Sequence, residues 1–88
     1  MEYGEDILKR LRRIEGQVRG VLRMMDEGKD CKDVVVQMTA IRSAMDRAIA
    51  VIVCENLERC LREEIAKGES GDTGKLVLEA INLLVKSR

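Results

Sequence analysis

From Cys31 to Lys67 the chain reads CKDVVVQMTAIRSAMDRAIAVIVCENLERCLREEIAK, without a glycine or a proline. No residue in that stretch breaks a helix, so it predicts about 36 residues of continuous helix. Val34, Met38, Ile41, Met45, Ala48 and Ile52 recur in alternating steps of four and three, then drift to Val53, Leu57 and Leu61. This is the rhythm of a helix lying along a partner. The apolar residues cover more of the circumference than one antiparallel partner would bury. Asp30 is a good N-cap for this helix, with Asp33 as the acidic third residue of a capping box.

Upstream, Ile7, Leu11, Ile14, Val18, Val21 and Met25 repeat the same rhythm and predict a first helix, closed by Gly28. Downstream, Gly68 to Gly74 reads as a polar connector. A short third helix follows, carrying Leu76, Val77, Ala80, Ile81, Leu83 and Leu84 on its apolar side. The expected class is all-α, a long antiparallel helical hairpin plus a short third helix, in one domain over residues 1–88. Such a chain lacks the bulk to close a core alone. Dimerisation into a four-helix bundle is the simplest remedy, with a further dimer of dimers giving a tetramer.

Composition narrows the function. The chain has 88 residues, no proline, no histidine and one aromatic residue, Tyr3. That leaves little room for an elaborate active site, and an enzyme is the weakest reading. The apolar runs are too broken by charge to span a bilayer, and the acidic start does not resemble a signal peptide. A cytoplasmic location follows. In a reducing cytosol, three cysteines suggest reactive thiols, metal ligands or buried spectators rather than a disulfide framework.

Net charge is zero, but it is unevenly spread. Between Ile7 and Arg23, Lys9, Arg10, Arg12, Arg13, Arg19 and Arg23 face Glu15 alone. Opposite the apolar seam of the first helix, Lys9, Arg12, Arg13, Arg19 and Arg23 fall within roughly 120° of arc. Gly16 and Gly20 share that face, with Gln17 at its margin. Each internal glycine costs up to about 1 kcal/mol of helix stability. One explanation is close packing of another helix on a Gly-x-x-x-Gly strip. The other is a flat strip flanked by guanidinium groups, which a phosphate backbone can approach closely. No helix-turn-helix, zinc finger or stacking aromatic is visible, so phosphate contacts and DNA shape would dominate.

Cys31 and Cys60 are 29 positions apart on the long helix. At 1.5 Å per residue that is roughly 43 Å, against the 7 Å or so between Cα atoms that a disulfide tolerates. The two thiols can meet only if a second copy runs antiparallel beside the first. Cys31 occupies the first turn, where the helix dipole, Lys29 and Lys32 favour a thiolate and Asp30 and Asp33 oppose it. Asn56 and Cys60 share one face, four residues apart, whereas Cys54 points away and reads as a spectator. Two thiolates would hold Cu(I), a soft ion that tolerates low coordination, and suit Ni(II), Co(II) or Zn(II) poorly. Alternatively, two thiols facing each other across an interface suit redox or sulfur sensing, one being attacked and the other resolving the product into a crosslink.

Arg12-Arg-Ile-Glu-Gly-Gln-Val-Arg-Gly20, Met24-Met-Asp-Glu-Gly-Lys-Asp-Cys-Lys-Asp-Val34, Gln37 and Arg42 closely resemble the copper-sensitive operon repressor (CsoR/RcnR/FrmR) family over essentially the whole chain. The resemblance implies a disc-like tetramer that binds operator DNA through the basic face of its first two helices. Here that face carries Lys9, Arg12, Arg13, Gln17, Arg19, Arg23 and Arg42. It also implies release when an inducer reaches an intersubunit site. In copper sensors that site is a cysteine at the start of the second helix, with His-x-x-x-Cys from the other protomer. The matching positions are Cys31, Asn56 and Cys60, so histidine is replaced by asparagine. The further histidines of nickel and cobalt sensors are absent, and Glu2 stands where formaldehyde sensors carry proline. The segments Cys54-Glu-Asn-Leu-Glu-Arg-Cys60 and Glu79-Ala-Ile-Asn-Leu-Leu-Val-Lys-Ser-Arg88 look like the persulfide-sensing CstR branch. That branch implies no cofactor. Reactive sulfur species would join Cys31 of one protomer to Cys60 of another through di-, tri- or tetrasulfide bridges. The alternative is a Cu(I)-responsive repressor using the same two thiols.

Overall fold

The computed structural model describes residues 2–68 and 72–86. Among these the chain forms three helices and no strand: α1 (Glu5–Asp26), α2 (Cys31–Ala66) and α3 (Thr73–Lys86). The architecture is the all-α one that the sequence predicts. The unbroken stretch after Asp30 becomes a single helix of 36 residues, which runs through two compact packing units, Met1–Ala48 and Ile49–Arg88.

In the first unit, α1 begins with Glu5 and Asp6 in its opening turn, where negative charge complements the helix dipole. It ends in a Schellman arrangement. The Lys29 N–H donates to the Met24 carbonyl at 2.9 Å and the Gly28 N–H to the Met25 carbonyl at 3.1 Å. Gly28 has φ +70°, the left-handed conformation this cap requires. The chain then turns directly into α2, where the Asp30 carbonyl accepts the Val34 N–H at 3.1 Å. The buried side chains of the unit are Ile7, Ile14 and Val21 from α1 and Val34 and Ala48 from α2. Each large aliphatic residue so buried contributes roughly 1.5–3 kcal/mol. Arg10, Arg13, Ile14 and Gln17 share a cleft with Arg47, Ala44 and Ala40. The cleft thus draws its walls from both helices of the hairpin.

The predicted seam of α1 is only half used within the chain. Ile7, Ile14 and Val21, one residue in seven, are buried, whereas Leu11, Val18 and Met25 remain 37%, 43% and 51% exposed. One neighbouring helix covers a narrow arc, and the alternate positions of a four-three repeat lie on its flank. The same holds on α2, where Met38 and Met45 stay largely open.

In the second unit, α3 packs on the C-terminal half of α2. Leu76, Glu79, Ala80 and Leu83 line a small cavity with Val53, Asn56, Leu57 and Cys60. The connector is shorter than predicted: Thr73 and Gly74 belong to α3. The Asp72 carboxylate accepts the Lys75 N–H at 3.1 Å, which satisfies a first-turn donor and starts the helix at Thr73 despite the glycine that follows. The rest of the predicted connector, residues 69–71, lies outside the described residues, as do the last two residues of the predicted C-terminal motif.

Candidate nucleic-acid face and thiol site

Lys9, Arg12, Arg13, Arg19 and Arg23 all project from α1 into solvent, and Gln17 is half-buried. A methyl group added at Gly16 or Gly20 would meet nothing within 4 Å. Close packing of another helix of the same chain therefore does not explain the two glycines; the strip is open. The distribution of ion pairs is uneven along the molecule. Arg19 bonds Glu15 at 2.8 Å, and on the C-terminal part of α2 Arg59, Arg62 and Lys67 pair with Glu63, Glu58 and Glu64. Among the described residues, Lys9, Arg10, Arg12, Arg13, Arg23, Arg42 and Arg47 hold no carboxylate. Cations without a carboxylate partner, concentrated on α1, suit a polyanion.

The hairpin gathers some of these cations and separates others. Arg10, Arg13 and Arg47 converge with Gln17 on one cleft of about 270 Å³ between α1 and α2, floored by Ile14, Ala40 and Ala44. The Gln17 Oε1 atom is buried without a hydrogen-bond partner among the described residues, which carries a desolvation cost. Arg42, also predicted, lies instead in a groove of α2 with Val35, Met38 and Thr39. Arg10 and Arg47 were not among the predicted contact residues. The spacing of Arg10, Arg13 and Gln17 at steps of three and four carried the first signal. The small residues Ala40 and Ala44, spaced likewise before Arg47, carried the second.

The thiol positions differ in setting. Cys31, the first residue of α2, is exposed; Cys54 is exposed; Cys60 is half-buried. Asn56 stands one turn before Cys60, and the Cys60 Sγ lies 3.9 Å from the Asn56 Oδ1. Arg59 donates to the same oxygen from Nη2 at 3.0 Å, which holds the carboxamide against the thiol. Cys54 does not line this cavity, as the helical phase predicts. Among the described residues no three His, Cys, Asp or Glu side chains of the chain come together as a metal cage. The donors nearest the thiol are soft sulfur and one amide oxygen. Sulfur suits a soft ion such as Cu(I), and imidazole suits Ni(II). No helix of the described residues is long and apolar enough to cross a membrane.

Comparison with known proteins identifies the family. Residues 3–86 match the family model described as "Metal-sensitive transcriptional repressor". The uncharacterized protein YrkD of Bacillus subtilis (strain 168) is 58% identical over 65 residues, 74% of this chain and all of that protein. The copper-sensing transcriptional repressor RicR of Mycobacterium tuberculosis (strain ATCC 25618 / H37Rv) is 42% identical over 85 residues, 94% of this chain and 88% of its own length. Among solved structures, the nickel-responsive transcriptional regulator InrS superposes with a TM-score of 0.77 at 30% identity, covering 99% of this chain and 94% of that one. The chain belongs to the metal-sensitive transcriptional repressor family, the CsoR/RcnR group that its motifs resemble.

Proposed function

We propose that residues 1–88 act as one repressor domain in a cytoplasmic homotetramer, gripping operator DNA and letting go when reactive sulfur species bridge two of its thiols. The unpaired cations of α1 and the first half of α2 supply the grip: Lys9, Arg12, Arg13, Arg23 and Arg42, joined by Arg10 and Arg47, with Arg19 shared with Glu15. Phosphate contacts of this kind fix position and register. Gln17, whose Oε1 is buried, has its amide N–H left to offer a base edge. The exposed halves of the α1 and α2 seams are the surfaces a second copy would cover, and α3 leaves further apolar area open at Val77, Leu78 and Ile81.

The observation that carries the choice of inducer is Asn56. At the position where copper sensors present a metal-binding imidazole, an amide oxygen faces the Cys60 sulfur at 3.9 Å and is held by Arg59. An amide in that place neither completes a three-donor Cu(I) set nor impedes chemistry at sulfur. One thiolate attacks a sulfane sulfur of an inorganic polysulfide, breaking its S–S bond and releasing a shorter polysulfide or hydrosulfide. The product is a cysteine persulfide. Attack by the second thiolate on its inner sulfur expels hydrosulfide and leaves a disulfide, while condensation of two persulfides expels hydrogen sulfide and leaves a trisulfide. In both cases the polysulfide is the oxidant. The bridge joins Cys31 to Cys60 of the partner subunit and holds the hairpins in an arrangement with lower affinity for DNA.

A second reading is favoured by the relatives. RicR is named as copper-sensing, and the family description is metal-sensitive. Under that reading Cys31 and Cys60 bind Cu(I) between subunits, the ion supplying a reversible link in place of a covalent one. A single preparation exposed separately to inorganic polysulfide and, anaerobically, to Cu(I) distinguishes the two. Operator release by polysulfide, with a covalent dimer on non-reducing gels that is lost in Cys60→Ser, is the expected result. Release by Cu(I) alone overturns it in favour of the metal.

A further inference from the structure

The second packing unit holds a device that reaches the Cys60 site without touching it. Glu64 lies four residues after Cys60 on α2, and its carboxylate ties together both ends of the turn between α2 and α3. The Lys67 ammonium donates to Oε1 at 3.0 Å and the Asp72 backbone N–H donates to Oε2 at 2.9 Å. Asp72 in turn caps α3 through the Lys75 N–H, and Gly68, next to Lys67, has φ +67°. One carboxylate therefore fixes the point from which α3 starts. Everything α3 places around the thiol follows from that point: Leu76, Glu79, Ala80 and Leu83 wall the cavity that Asn56 and Cys60 open into.

We infer that Glu64 is a positioning residue for Cys60: by anchoring the start of α3 it sets how far the thiol is covered and how fast it reacts. Cys60 is half-buried while Cys31 and Cys54 are exposed, and the cover over Cys60 includes side chains of α3. Loosening the anchor raises the population of states in which α3 has moved and the sulfur is open, as for any local opening held by a few hydrogen bonds. The inference takes Cys60 as a sensing thiol from the proposed function, but the reaction used to test it is indifferent to the natural inducer.

The test is the rate of alkylation by iodoacetamide at each cysteine, followed by peptide mass spectrometry on the reduced full chain. Cys31, in the other packing unit, serves as the internal reference. In Glu64→Ala the Cys60 rate should rise about fivefold relative to Cys31, the effect of losing one ordinary net hydrogen bond on a local opening equilibrium. Glu64→Gln keeps an acceptor for the Asp72 N–H and should restore most of the protection. Glu64→Asp, one methylene too short to span both donors, should lie between. Circular dichroism confirms that each variant keeps its helices, and a variant that loses them is judged by the other two. An unchanged Cys60-to-Cys31 ratio in Glu64→Ala, or a glutamine variant as reactive as the alanine one, overturns the assignment. A protein that alkylates as expected yet ignores polysulfide would overturn the proposed inducer and leave the role of Glu64 standing.

Discussion

Removing Arg13 tests the proposed DNA contact more directly than any other substitution. Its guanidinium lines the α1–α2 cleft with Arg10, Arg47 and Gln17 and holds no carboxylate among the described residues. A cation that neutralises one phosphate releases condensed counterions and contributes about 0.9 to the slope of log affinity against log salt. Arg13→Ala should therefore flatten that slope by about 0.9 for each protomer engaged. Over a fourfold rise in salt, this changes the affinity ratio about 3.5-fold per engaged protomer. Arg47→Ala should do the same. Arg62→Ala is the control, because Arg62 is already paired with Glu58 on the other packing unit and should leave the slope alone. Glu15→Gln should act in the opposite sense, freeing Arg19 from its 2.8 Å bond and steepening the slope. The assay is fluorescence anisotropy of a labelled duplex titrated at several salt concentrations. Equal slopes for wild type, Arg13→Ala and Arg47→Ala would refute the placement of the phosphate contacts on this cleft, even if overall affinity fell.

Three further outcomes are expected. Gly28→Ala forces a Cβ into a left-handed backbone conformation at φ +70°, which costs roughly 1–2 kcal/mol; thermal unfolding should show a lower midpoint. For Glu64, the Lys67 hydrogen bond and then the Asp72 N–H hold the carboxyl below its ordinary 4.5. A depressed carboxylate contributes stability above the unfolded value and loses it as pH falls through the folded one. The urea midpoint of wild type should thus exceed that of Glu64→Gln at neutral pH, and the gap should close in acid below 4.5. Finally, Asn56→His places an imidazole one turn before Cys60, adding a nitrogen donor that suits copper. Competition against a Cu(I) chelator should show tighter binding than wild type, and equal affinity would remove position 56 from the choice of inducer.

The helices were legible in the sequence because their signals are local. An uninterrupted stretch after Asp30 and a glycine after Asp26 depend on residues within a few positions of each other, and both ends of α2 follow from them. The start of α3 was misplaced for an equally local reason: Gly74 looks like linker, but Asp72 caps the first turn and outweighs the glycine's cost. The proximity of Asn56 and Cys60 also needed only helical phase. What the sequence could not display was which half of a four-three seam the chain itself would use. That depends on the register of α1 against α2, a tertiary property. For the same reason the pairing of Arg47 with Arg10 and Arg13 was missed: the hairpin brings together residues that no single helical wheel contains.

The charge pattern and the thiol chemistry belong to different parts of the chain, which bears on how sensing would work. The cations of the proposed DNA face lie in the unit that ends at Ala48, whereas Asn56, Cys60 and the Glu64 anchor lie beyond it. Cys31 is the exception, a thiol on the first residue of α2 and within the unit that carries the basic cleft. A bridge to Cys31 would therefore act on the start of the helix whose Ala40, Ala44 and Arg47 complete that cleft. Coupling of this kind requires a difference in binding energy between two arrangements of the hairpins, not a continuous wire between sites. By linkage, operator DNA must then disfavour the bridge at equilibrium by the same free energy by which the bridge weakens DNA binding. Crosslinking that proceeds equally with and without bound operator, at equilibrium with a thiol buffer, would mean that the two sites do not communicate.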